Sequence, residues 1–72
     1  MKTVKIHTEY ITLGQFLKHI NIVSSGGEVK HFLSNNRVLV DNINDDRRGR
    51  KIYPNNIVTV LNQDYLIVAN EN

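Results

Sequence analysis

Residues 11–42 read ITLGQFLKHINIVSSGGEVKHFLSNNRVLVDN, and the order of signals inside this stretch decides the fold. Thr12 is followed three residues later by Gln15, the spacing of a capping box, with Ile11 and Phe16 at the two positions that form a hydrophobic staple. Leu13, Phe16, Leu17 and Ile20 then recur at i, i+3, i+4 and i+7, which predicts a helix from Leu13 that buries one stripe and turns Gln15, Lys18 and His19 toward water. Gly14, in its first turn, reads as a small propensity loss near a fraying end. Ser25 and Glu28 repeat the capping-box spacing, and Val29, Phe32 and Leu33 supply a second stripe up to about Ser34. Asn35 and Asn36 are suited to end that helix in the left-handed conformation. Only Asn21 to Ser24 separate the two helices, so they are expected to pack as a helix-turn-helix pair.

After Arg37 the period changes to two. Val38 and Val40 share one face, Asp41-Asn42 has the chemistry of a tight turn into Ile43, and a loop follows from Asn44 to Lys51. Ile52 and Tyr53 suit a short extended piece, Pro54-Asn55-Asn56 a turn, and Ile57 to Leu61 a strand. Asn62-Gln63-Asp64 is expected to turn into a last strand, Tyr65 to Val68, that pairs with its predecessor or with the first strand. Upstream, Lys2 to His7 alternates, with Val4 and Ile6 on one face, as a half-buried strand does. The fold class read from this order is α+β: two short packed helices followed by a β-hairpin, on a small, mostly antiparallel sheet. Leu13, Phe16, Leu17, Ile20, Val29, Phe32, Leu33, Val38 and Val40 are the expected core.

Size and composition narrow the function. A chain of 72 residues holds one domain, residues 1–72, with one modest core, which argues against a deep, enclosed active site. Hydrophobic residues make up 40% and charged residues 22%, ordinary globular usage rather than that of a disordered tail. The absence of cysteine excludes disulfides, thiolate zinc sites and thiol catalysis. No apolar run reaches the roughly 18 residues of a membrane span, and Met1 to Lys5 alternates as no signal peptide does, so a soluble, cytoplasmic protein with no membrane partner is expected. His7, His19 and His31 fall on three elements without the i, i+4 spacing of a helical metal pair, so neither metal nor cofactor is expected. No Ser-His-Asp set, carboxylate pair or phosphate loop of the nucleotide-binding type is present, which argues against an enzyme and against a small-molecule substrate.

Charge is concentrated in the middle of the chain. The net charge is only +2, but Arg47, Arg48, Arg50 and Lys51 fall within five residues, while Glu9, Asp64 and Glu71 lie toward the ends. Lys18, Lys30 and Arg37 stand on the two expected helices and at a helix exit, so a surface that joins them to the basic run would suit a polyanion. Arg and Lys neutralise phosphates and release counterions, which gives affinity with little sequence information. Each piece also has a plain reading: the run is a solvated loop partly neutralised by Asp45-Asp46, Gly26-Gly27 is a point of close helix packing or a source of free N–H groups for a phosphate, and Tyr53 stacks on a base or lies half-buried over the turn.

Phe16-Leu17-Lys18, Ser25-Gly26-Gly27-Glu28-Val29-Lys30, Arg37-Val38-Leu39-Val40-Asp41-Asn42 and Arg47-Arg48-Gly49-Arg50-Lys51-Ile52 stand in an order and spacing that resemble the alpha-L RNA-binding domain, also called the S-four domain. The likeness covers about residues 11–60 and is nearest to the small stand-alone bacterial proteins of the YaaA type. Asp41-Asn42 replaces the family's usual Asn-Gly turn and Asn55-Asn56 its Gly-Asp, and Asn tolerates the same positive-φ conformations. Thr12 or Leu13 and Lys30-His31 stand where many members carry arginine, which implies a smaller helical share of RNA contact.

The resemblance implies a non-catalytic RNA-binding module, with nothing further attached, that recognises structured RNA. Ribosomal RNA, a tRNA-like fold or an assembling ribosomal subunit is the implied partner, contacted through Lys18, Lys30, Arg37, Arg47, Arg48, Arg50 and Lys51. The alternatives are a protein-interaction adaptor, using the basic loop and an exposed strand edge, and a helix pair that enters a DNA groove.

Overall fold

The computed structural model describes residues 1–70; Glu71 lies outside them. The elements run β1 (Lys2–Ile6), β2 (Ile11–Thr12), α1 (Leu13–His19), α2 (Gly26–Asn35), β3 (Val38–Val40), β4 (Ile43–Asn44), β5 (Lys51–Ile52), β6 (Ile57–Val60) and β7 (Gln63–Ala69). Five strands form one sheet in the order β1-β7-β6-β3-β4, and β2 and β5 make a separate antiparallel pair. The fold is therefore α+β, with a mostly antiparallel sheet. The exception is β1, which runs parallel to β7 with Val4 opposite Ile67. β7 thus pairs on both sides, antiparallel with β6 and parallel with β1, so the two pairings open to it in the sequence both occur.

Both helix starts are capped as their sequences predict, though not identically. At α1, the Thr12 side chain accepts from Gln15 N–H at 3.2 Å and the Gln15 side chain accepts from Thr12 N–H at 2.9 Å, a complete capping box. At α2, Ser25 Oγ accepts from Glu28 N–H at 3.4 Å, but the Glu28 carboxylate takes the hydroxyls of Ser24 and Ser25 instead of the cap's backbone. The end of α1 is a Schellman turn. Asn21 has φ of 62°, its N–H donates to the Lys18 carbonyl at 3.0 Å, and Ile22 N–H donates to the Leu17 carbonyl at 3.1 Å.

Three local expectations are corrected. α2 does not end left-handed: Asn36 is extended, with φ of −137°, and both its N–H and its side-chain amide donate to the Phe32 carbonyl, while the Asn35 amide donates to that of His31. These side chains satisfy the orphan carbonyls, so no left-handed residue is required. The last hairpin turns one residue earlier than the Asn-Gln-Asp signal suggests, on Leu61 and Asn62 with φ of 50° and 63°, because Val60 pairs with Gln63 and leaves a two-residue loop. Gly26 and Gly27 have open space where a side chain would stand, so they are not a packing point. The close approach belongs to Gly14, where a Cβ would lie 3.4 Å from both the Arg48 carbonyl and Val29 Cγ1.

The core lies between the helix pair and one face of the sheet. Leu13, Phe16 and Leu17 of α1 and Val29 and Leu33 of α2 meet Val4, Ile6, Val38, Val40, Val58, Val60 and Ile67 of the sheet, with Val23 and Ile52 completing it. Phe16 meets Tyr65 edge to face, with ring centroids 5.4 Å apart. Ile20 and Phe32, expected in the core, are only partly buried and pack at its margin. Substitution at the two phenylalanines should therefore differ. Phe16→Ala is expected to cost roughly 3–5 kcal/mol, and Phe32→Ala no more than about half of that, read from denaturant midpoints at unchanged m. Leu61 stands 60% exposed in a left-handed conformation that a branched side chain resists. Leu61→Asn should raise the midpoint by the equivalent of roughly 0.5–1 kcal/mol.

Candidate nucleic-acid interface

The basic run is not a free loop. The first residues of α1 leave N–H groups without helical acceptors, and two of these reach across to it: Leu13 N–H donates to the Arg50 carbonyl at 2.8 Å and Gly14 N–H to the Arg48 carbonyl at 2.9 Å. A Cβ at position 14 would touch the Arg48 carbonyl at 3.4 Å, so the two backbones meet with room for little more than a methyl group between them. The next residues, Lys51 and Ile52, pair with Thr12 and Ile11, so the run is fixed on both sides of the helix start. At its other end Asp45 N–H donates to the Val38 carbonyl at 3.0 Å, which continues the β3–β4 ladder.

Asp45 organises the charges. It is 7% exposed, and its carboxylate accepts from Arg47 N–H and Nε at 3.0 Å each, from Arg47 Nη2 at 2.8 Å and from Arg50 Nη1 at 2.7 Å. The Arg47 hydrogen bond is the largest cause that holds the Asp45 carboxyl well below the usual carboxylate range, with Arg50 adding to it, and the same bond raises the Arg47 guanidinium. In the sequence Asp45 and Asp46 look alike, two acids that partly neutralise the run. Only Asp46 is exposed; Asp45 is an anchor that sequence reasoning missed. The available signal was its position two residues before an arginine, where an Asp side chain can turn back onto the backbone N–H.

The seven basic residues singled out in the sequence are not equivalent. Lys18 of α1 and Lys30 of α2 are exposed on neighbouring helices, and Arg48 borders the groove that each lines, one shared with Lys18 and Gly26, the other with Lys30, Ser34 and Asp46. Arg47 and Arg50 are paired to Asp45, with side chains 69% and 30% exposed, and share a third groove with Lys51 and Tyr53. Lys51 Nζ lies 5.0 Å from the centre of the Tyr10 ring, a residue the sequence reading did not single out. Arg37 is exposed beside Val38, at the base of the loop, and no hydrogen bond or ion pair ties it to the other six among the described residues.

A helix pair followed directly by a hairpin that carries a basic run is the order on which the resemblance rests, and residues 4–68 match the S4 domain. The chain belongs to the S4 domain family. Over 57 residues this S4 domain is 51% identical to the probable ribosome maturation protein RlbA of Bacillus subtilis (strain 168), an alignment that spans 79% of this chain and 80% of that protein. No helix of the S4 domain is long and apolar enough to cross a membrane among the described residues.

Loss of the anchor should be visible in acid. Because the folded state holds Asp45 below its unfolded pKa, its contribution is complete above roughly pH 4 and is lost as pH falls below that. Asp45→Asn should lower stability at neutral pH by roughly 1–3 kcal/mol. It should also flatten the fall in urea midpoint on acidification.

Proposed function

We propose that residues 1–72 act as one non-catalytic RNA-binding unit that recognises structured RNA by shape and backbone, in the cytoplasm. Its target is ribosomal RNA or an assembling ribosomal subunit, with a tRNA-like fold as the other RNA of suitable shape. The observation that carries this reading is the pair of hydrogen bonds from the α1 start to the Arg48 and Arg50 carbonyls, which holds the basic run against two helices that carry Lys18 and Lys30. Membership in the S4 domain family, and similarity to a protein named as a probable ribosome maturation factor, support the ribosomal target.

The contact surface proposed is Lys18, Lys30, Arg37, Arg47, Arg48, Arg50 and Lys51. Phosphates along an A-form strand present fixed charges at regular spacing, and a basic face with grooves on both sides of Arg48 can follow them without reading base edges. Lys18, Lys30 and Arg48 have no acidic partner within ion-pair distance among the described residues, so their charge is available to an incoming phosphate. Arg47 and Arg50 arrive partly neutralised but pre-positioned, since Asp45 restricts their rotamers.

With about four to six phosphates neutralised, log K for a structured RNA should fall against log salt with a slope of roughly −3 to −5. Replacing Lys18, Lys30 and Arg48 together by alanine should flatten that slope by about two to three and leave the melting curve little changed, because all three are exposed. Arg47→Ala alone should flatten it less than Arg48→Ala alone. A folded triple variant with the wild-type slope, or equal competition by duplex DNA of the same length, would remove the reading.

A further inference from the structure

The β2–β5 ribbon has an outer face whose side chains, the Thr12 cap apart, take no part in the core. Ile11 opposes Ile52 and Thr12 opposes Lys51, so strand alternation turns Ile52, fully buried, toward the core and sends Tyr10, Thr12, Lys51 and Tyr53 outward. Tyr10 and Tyr53 are cross-strand neighbours with ring centroids 5.5 Å apart and planes inclined by 44°, and Lys51 Nζ sits over the Tyr10 ring. Tyr53 is 41% exposed, the one aromatic among the large exposed apolar side chains of the described residues.

The exposed ring stands on a fixed base. Tyr53 N–H donates to Asn56 Oδ1 at 2.7 Å, Asn56 N–H returns to the Tyr53 carbonyl at 3.0 Å, and Asn56 Nδ2 donates to the Asp41 carboxylate at 2.7 Å. Asp41 in turn accepts from Ile57 N–H at 2.8 Å, so the first hairpin turn and the start of β6 together hold the backbone under Tyr53. A ring placed this way loses little freedom on binding. The groove beside it is lined by Arg47, Arg50 and Lys51, which sets phosphate-binding groups next to an aromatic face.

We propose that Tyr53, backed by Tyr10 and flanked by Lys51, is a stacking platform for one unpaired nucleobase, whose adjoining phosphates lie along Arg50 and Lys51. The inference rests on the RNA-binding reading and names the feature of RNA that it selects. Bases inside an uninterrupted A-form helix have both faces covered by their neighbours, whereas a bulged, looped or terminal base can be splayed onto an aromatic side chain. The preferred ligand is therefore a helix with an unpaired nucleotide beside it.

The test uses the whole chain and two RNAs of equal nucleotide number, one a blunt duplex and the other a duplex interrupted by a short bulge. The bulged RNA is expected to bind about tenfold more tightly, the factor that stacking of one base supplies, and Tyr53→Phe should keep that preference. Tyr53→Leu should abolish it, with the affinity for the bulged RNA falling to that for the blunt duplex, while its melting curve confirms the fold. Independently of any variant, the Tyr53 ring protons of the wild-type protein should move upfield by NMR on adding the bulged RNA. Equal affinity for the two RNAs, an unchanged preference in folded Tyr53→Leu, or unmoved ring protons would overturn the platform and leave backbone binding standing. Failure of both RNAs to bind would overturn the RNA-binding reading and the platform with it.

Discussion

Everything at the basic face depends on what happens at the first turn of α1. A helix of seven residues is too short to persist by itself, and its first N–H groups need acceptors that the helix cannot provide. A run of four basic residues in five has the opposite difficulty: like charges repel, there is little to bury, and the backbone carbonyls need donors. Leu13 and Gly14 solve both at once by donating to Arg50 and Arg48. The contact tolerates only a very small residue at position 14, since the Arg48 backbone and Val29 already occupy the neighbouring space. Because Val29 belongs to α2, the same point joins both helices and the loop, and the spacing of the positive charges becomes a property of the fold rather than of a flexible segment.

The electrostatics follow a similar economy. One buried carboxylate serves two guanidinium groups and one backbone N–H, so its acceptor sites are well used and its charge is not left isolated. The result is a graded surface. Arg47 and Arg50 are constrained and partly neutralised, Lys51 leans over an aromatic ring, and Lys18, Lys30 and Arg48 keep their full charge on exposed stems. Counting basic residues in the sequence overstates the free positive charge of the loop and misses its rigidity.

Local signals in the sequence were legible wherever a short-range rule applies. Thr12 with Gln15, Ser25 as a cap, and Asp41-Asn42 as a two-residue turn with φ of 51° and 68° all appear where their chemistry puts them. Leu61 was not legible, because register between β6 and β7 forces a left-handed residue on a side chain that would not choose it. Gly14 and Gly26-Gly27 exchanged roles for a related reason: what a glycine faces is decided by elements far along the chain. The burial of Asp45 and the partners of Tyr10 stayed hidden because burial and cross-strand pairing are long-range facts; two two-residue strands carry no period to detect. The sequence assembles the basic residues into a list, but that Arg47 and Arg50 are ion-paired is set by a single aspartate.

The parallel pairing of β1 with β7 bears on how the chain comes together. Lys2 to Ile6 wait for Tyr65 to Ala69, more than sixty residues later, before they gain a hydrogen-bonded neighbour. Both helices and the hairpins can form from contacts close in sequence, whereas this pairing closes the longest loop in the described chain. During synthesis β1 is made before its partner β7, and both its edges are unpaired until β7 has followed. Its two lysines, Lys2 and Lys5, are the kind of charge that discourages such an edge from joining another chain.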